Sequence, residues 1–235
     1  MRDAPKQLAL DLPIDPRFGR EDFLVSPSNE AAYGLIERWP DWPDTILLLR
    51  GPRGSGKSHL ASIWSTAAKA WTAAARDITA ERVPHLVSNG AVVIEDADRG
   101  PRDEMALFHL LNLARERKAF LVVTCEMPPD RWGLQTPDLL SRLRLAPSIM
   151  VQAPDDALLR AVLVKLFIDR QLVVDTSVVD YIALRIERSL RRAAEIVAAL
   201  DWEALSRGRR ISRSIAAAVL EAARGGDEQD SAEPG

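Results

Sequence analysis

Hydrophobic positions follow two different rhythms along this chain. In the first two thirds, short unbroken apolar runs alternate with stretches of helical spacing. Thr45–Arg50 (TILLLR), Ala91–Glu95 (AVVIE) and Ala119–Thr124 (AFLVVT) leave no alternate position for a solvated face. Each therefore reads as a strand buried on both sides. A weaker strand is predicted at Trp71–Arg76 and a short one at Ile149–Gln152. Helices are predicted between them. One follows Ser26, where SPSNEAAYGLIERW offers a capping serine and a proline at the first helical position, and it stops before Pro40. Others run from Lys57 to about Ala68 and over Pro101–Arg117. Buried strands alternating with helices predict an α/β fold with a parallel sheet covered on both faces.

After Pro154 the rhythm changes. Residues 155–171, 175–187, 189–206 and 212–224 all keep helical period, with Leu, Ala and Arg dominating and no strand signal. The predicted organisation is an extended arm over 1–22, an α/β domain over 23–153, a helical domain over 154–224 and an acidic tail over 225–235. The tail lacks apolar anchors and reads as disordered.

The 235 residues are 47% hydrophobic and 28% charged, an ordinary globular balance with room for about one and a half domains. A single cysteine, Cys125, cannot close an intramolecular disulfide, which fits a reducing cytosol. No apolar run approaches the ~20 residues that span a bilayer. The N-terminus, with Asp3, Asp11 and two prolines, does not read as a signal peptide. The expectation is a cytoplasmic protein with no membrane partner. A net charge of −3 argues against gripping nucleic acid over a broad basic face. It leaves room for a partner that is itself on DNA.

The candidate chemistry begins at Gly51-Pro52-Arg53-Gly54-Ser55-Gly56-Lys57-Ser58, which fits G-x-x-x-x-G-K-[ST] between a predicted strand and a predicted helix. Backbone amides there can wrap a phosphate, Lys57 can reach the β- and γ-phosphates, and Ser58 can hold Mg²⁺. Glu95 and Asp96 end the second strong strand, where a metal-binding carboxylate faces such a loop. The usual order is aspartate for the metal shell and then glutamate for the attacking water; here it is reversed. A water-orienting carboxylate held about 1 Å short can lose on the order of a hundredfold in rate. Magnesium–nucleotide binding with slow intrinsic hydrolysis is expected. Thr124 ends the third strand, where a polar tip can reach the γ-phosphate or its water. Arg142, in LLSRLRL, can be presented to a neighbouring molecule's phosphates, and Arg144 competes for that role. Arg191 and Arg192 open the third helix of the helical domain and can fold over bound phosphates.

Phosphate loop, acidic strand end, polar strand tip, arginine and helical lid, in this order, resemble the AAA+ ATPases. Within them the likeness is to the replication initiator DnaA and the shorter Hda branch that regulates it, over about residues 18–224. FLVSPSN (Phe23–Asn29) is similar to the family's segment near the adenine, TCEMPP (Thr124–Pro129) to its sensor 1 strand and turn, and LLSRL to its finger helix. The resemblance assigns the finger in trans to Arg142 and the sensor 2 role to Arg191. It implies ADP or ATP with Mg²⁺ as cofactors, the initiator DnaA as partner and a possible nucleotide-dependent homo-oligomer. No helix-turn-helix domain follows the predicted lid, which favours the regulatory branch. Gln7-Leu-Ala-Leu-Asp-Leu12 resembles the Q-L-x-L-x-L peptide that docks on the DNA polymerase sliding clamp. Gln7 would supply amide hydrogen bonds, and Leu8, Leu10 and Leu12 apolar anchors on an extended segment. An edge strand packed on the chain's own core is the bland alternative. DNA would then be reached only through the clamp.

The rival class is a helicase- or clamp-loading ATPase acting through its own turnover. A small P-loop kinase lacks any second substrate signature here. Trp39–Asp44 (WPDWPD) shows two exposed-looking tryptophans without an evident role, and His59 reads as helix surface.

Overall fold

The computed structural model describes residues 18–207 and 209–230, so the expected clamp peptide, Gln7–Leu12, lies outside the described residues. The chain divides into two compact units, one over Phe18–Asp155 and one formed by the helices from Asp156 onward.

The first unit is built on five strands: β1 (Ile46–Arg50), β2 (Trp71–Ala74), β3 (Ala91–Glu95), β4 (Phe120–Cys125) and β5 (Ser148–Met150). They pair in parallel in the order β2-β3-β4-β1-β5. The period of two sorts their apolar side chains onto two faces. Ile46, Leu48, Val92, Ile94, Leu121 and Val123 share one cluster, while Leu47, Leu49, Val93 and Val122 join another. The first face is covered by α3 (Val83–Leu86), α4 (Glu104–Glu116) and α5 (Pro137–Leu145), the second by α1 (Glu30–Glu37) and α2 (Lys57–Ala68). Burying one such Leu or Ile stabilises the fold by roughly 1.5–3 kcal/mol relative to exposure, which explains the absence of polar residues from these runs.

Several local expectations shift. The Ser26 segment is a turn rather than the first turn of a helix. The Ser26 amide donates to Asn29 Oδ1 at 2.9 Å, and α1 begins only at Glu30. Asp103 caps α4 by accepting the Ala106 amide at 2.9 Å, which starts the helix after Pro101. β2 stops at Ala74, where a single 3₁₀ turn follows. The tryptophans of WPDWPD are packed: Trp42 stacks on Trp64 with centroids 5.4 Å apart and donates to the Leu35 carbonyl at 2.7 Å. Trp39 meets the edges of Trp64 and Phe120.

The second unit consists of α6 (Asp156–Asp169), α7 (Thr176–Ala183), α8 (Leu190–Arg207) and α9 (Arg213–Asp230). Leu159, Leu163, Phe167, Ile182, Ile196, Val197, Leu200 and Leu220 fill its core. α9 runs past the end expected at 224.

Candidate functional site

The glycine-rich loop leaves the C-terminal end of β1, the strand flanked by β4 and β5, and enters α2. Gly51 sits where the backbone has no room: a Cβ there would lie 2.1 Å from the Val151 carbonyl oxygen. That oxygen cannot retreat easily, since the Val151 amide is bonded to Arg50 O at 2.6 Å. Gly56 caps α2 with φ at 102°, a left-handed conformation that L side chains rarely adopt. The first amides of α2, those of Lys57, Ser58 and His59, have no intrahelical acceptor and point with the positive end of the helix into the loop's mouth. Ser55 lies within the loop with a buried hydroxyl that has no hydrogen-bond partner among the described residues.

Lys57 is buried and donates to the carbonyls of Gly51 at 2.9 Å and Pro52 at 3.0 Å. An ammonium carries three protons, so one remains for an anion in the loop. Burial lowers the Lys57 pKa, while Asp96, Glu126 and Asp98 work against that shift.

Glu95 organises the opposite wall. Its Oε2 accepts from Ser58 Oγ at 3.1 Å and from Thr124 Oγ1 at 2.5 Å. Thr124, wholly buried, also accepts the Asp96 amide at 2.9 Å. Burial pushes the Glu95 carboxyl above the ordinary glutamate range, and the Thr124 and Ser58 hydroxyls pull it back. The donor set is all hard oxygen, the chemistry suited to Mg²⁺. Amides, a lysine, a serine and a carboxylate thus stand where a phosphate and its metal would need them. Asp96 is exposed, has φ at +51° and carries no side-chain hydrogen bond among the described residues. Nothing in the structure fixes its carboxylate over a water.

Asp98 was not singled out by the sequence pattern. Its Oδ2 accepts the amides of Glu126 at 2.9 Å and Met127 at 2.8 Å, tying the turn after β3 to the turn after β4. The E-D-A-D spacing was the only hint, and it becomes meaningful once β3 and β4 are neighbours. Cys125 is buried, with its thiol pushed up to about 12 by burial and Asp98, which removes it as a nucleophile.

His59 is not helix surface. Its Nε2 is 2.9 Å from the Gly19 carbonyl, and its ring meets Phe18 and Phe23 edge-on at 5.3 and 5.0 Å. Phe23 stacks on Tyr33 at 5.4 Å, and Arg20 pairs with Glu37. Residues 18–22, expected to belong to the arm, are therefore anchored on the α/β unit.

Arg142 lies in the last turn of α5. Its guanidinium stands 5.5 Å from the Phe108 ring centroid and forms no ion pair among the described residues. Arg144 is held by Asp130, with Nε donating to Oδ1 at 2.7 Å. Arg191 belongs to the helical unit and is no part of the Ser58–Glu95–Thr124 network; its Nε donates to Glu195 at 2.6 Å. Arg192 reaches the same carboxylate and the Ala223 carbonyl.

Neither a protein-family model nor a curated protein sequence matches the chain. Solved structures do. Domain III of the Thermotoga maritima replication initiation protein DnaA superposes with a TM-score of 0.70 at 18% identity, over 89% of this chain and 98% of that one. A replication initiator DnaA bound to AMPPCP and single-stranded DNA gives 0.66 at 18%, over 83% and 68%. The Thermotoga maritima RuvB Holliday junction branch migration motor gives 0.68 at 15%, over 88% and 72%. The parallel sheet, its flanking helices and the helical C-terminal part are those of the AAA+ P-loop fold.

Proposed function

We propose that this protein is an Hda-like regulator of the replication initiator DnaA. It binds ADP or ATP with Mg²⁺ through Gly51–Ser58 and Glu95, with Arg191 as the sensor arginine. It docks on the sliding clamp through Gln7–Leu12 and supplies Arg142 to the nucleotide of a bound initiator. Bound Mg²⁺ would neutralise phosphate charge. The chain's own residues do the rest: the α2 amides and Lys57 orient the phosphates, Ser58 and Glu95 hold the metal position, and Thr124 fixes Glu95.

The observation that carries the reading is the contrast between Arg142 and Arg144. Asp130 neutralises Arg144, whereas Arg142 rests on an aromatic ring and can leave it without breaking an ion pair. The unsupported Asp96 fits slow turnover at the chain's own site and chemistry delivered in trans. An arginine finger supplied this way is worth ~10³–10⁵ in rate.

The test is hydrolysis by ATP-loaded initiator in the presence of this protein, DNA-loaded clamp and DNA. Arg142→Ala should abolish the stimulation and Arg144→Ala should keep it; the reverse pattern would sink the assignment.

The likeness to a branch-migration motor keeps a second reading in view, a ring-forming ATPase working through its own turnover. Rapid hydrolysis by the isolated chain together with ATP-driven assembly in sedimentation would select it.

A further inference from the structure

The helical unit pairs five of its arginines with carboxylates and leaves others without an ion pair among the described residues. Arg160 pairs with Asp180, Arg170 with Asp201, Arg188 with Asp156, and Arg191 and Arg192 with Glu195. Arg185, Arg209, Arg210 and Arg213 are exposed and form no ion pair among the described residues. Glu187 and Glu221 form no ion pair with them among the described residues, while Glu195 and Glu203 line the same groove as Arg209.

These charges are concentrated rather than scattered. Arg185, just after α7, and Arg213, the first residue of α9, both lie over the Tyr181 ring, at 3.8 and 4.6 Å from its centroid. The ring gathers two guanidiniums, neither ion-paired among the described residues, and Arg185 also donates to the Tyr181 carbonyl at 3.1 Å. Arg209, Arg210 and Arg213 also crowd the N-terminal end of α9, where the helix dipole is already positive and a cation is unfavourable. Ser212 and Ser214 add exposed hydroxyls at that same end, 2.8 Å from each other. Arginine forks, serine hydroxyls and a helix N-terminus are the donor set that contacts nucleic-acid phosphates without reading sequence.

We propose that the Arg185–Tyr181–Arg213 cluster, extended by Arg209 and Arg210, is a binding surface for the phosphodiester backbone of nucleic acid. Tyr181 pre-positions the two guanidiniums, and their outward N–H edges take backbone phosphates. The contact is local, so it is compatible with the acidic balance of the whole chain. It does not rest on the regulatory reading above, and it adds a direct grip on DNA to a chain expected to reach DNA only through another protein.

The experiment is fluorescence anisotropy of a labelled mixed-sequence oligonucleotide, single-stranded and duplex, titrated with the full chain across a salt series. The wild type should bind both forms and weaken linearly in log–log salt plots, with a slope of about −0.9 per phosphate neutralised on duplex. Arg185→Glu combined with Arg213→Glu should weaken binding at least ~10-fold at about 50 mM salt and flatten the duplex slope by roughly two. Arg185→Lys combined with Arg213→Lys keeps the charge, should stay within about threefold of wild type, and guards against a folding artefact. Circular dichroism and nucleotide affinity should be unchanged in both. Absence of wild-type binding at that salt, or equal binding by the charge-reversed protein, would overturn the proposal. So would competition by polyglutamate as effective as that by DNA, which would mark the surface as one for an acidic protein.

Discussion

The Thr124 hydroxyl donates to Glu95 Oε2 at 2.5 Å, linking the tip of one strand to the carboxylate at the end of its neighbour. The same hydroxyl accepts the Asp96 amide, so one buried oxygen serves both acidic residues. Replacing Thr124 with Val keeps the shape but removes both hydrogen bonds. It should destabilise the protein by about 1–3 kcal/mol, read as a lower urea midpoint at constant m-value. Thr124→Ser should recover most of the loss.

Glu95 makes a pH-dependent prediction. Its folded-state pKa is raised, chiefly by burial, so the folded protein binds its proton more tightly than the unfolded chain. The stability this contributes is present below the unfolded pKa and is lost as pH rises through the folded one. Glu95→Gln keeps an acceptor for Ser58 and Thr124 and abolishes that loss. Without nucleotide, the variant should melt higher than wild type at neutral pH, and the two should converge on acidification. In exchange it should lose Mg²⁺-dependent tightening of nucleotide binding.

Two glycines should behave oppositely. Gly51→Ala drives a methyl into the Val151 carbonyl and should cost about 3 kcal/mol or more, together with nucleotide binding. Gly34→Ala, at an exposed position of α1 with nothing within 4 Å of the added carbon, should stabilise by about 1 kcal/mol through helix propensity. Thermal melts of the two proteins check both signs.

Cys125 should be chemically silent in the native state. With its thiol pushed up to about 12, the thiolate fraction at pH 8 is negligible and the sulfur is buried. A thiol reagent should label it only at the rate of unfolding, and prompt labelling of the folded protein would contradict the buried placement.

The central sheet was legible because strands buried on both faces must be apolar at every position. β2, half exposed at the sheet's edge, left a fainter trace, and α3 is too short to show a period. The phosphate loop was legible because its chemistry is local in sequence. Asp98 was not, since its partners become neighbours only when β3 and β4 pair. Apart from the family resemblance, which favoured Arg142, spacing alone did not separate Arg142 from Arg144. Asp130, on the turn before α5, separates them by a contact that no helical spacing reports. The tryptophans at 39 and 42 looked exposed because the residues that cover them, Trp64 and Phe120, come from distant segments. His59 likewise gained its partners from a distant segment, residues 18–23.

That last contact decides how the chain can be shortened. His59 follows Ser58 in the first turn of α2, and its hold on Gly19, with Phe18 and Phe23 against its ring, makes the phosphate-binding helix the mooring of the N-terminal segment. A deletion ending at residue 17 leaves the mooring whole and removes the proposed clamp peptide cleanly. One ending at residue 23 strips three aromatic and carbonyl contacts from the residue next to Ser58. The first should leave nucleotide affinity at the wild-type value, and the second should lower it. Loss of clamp binding means loss of docking only in the shorter deletion.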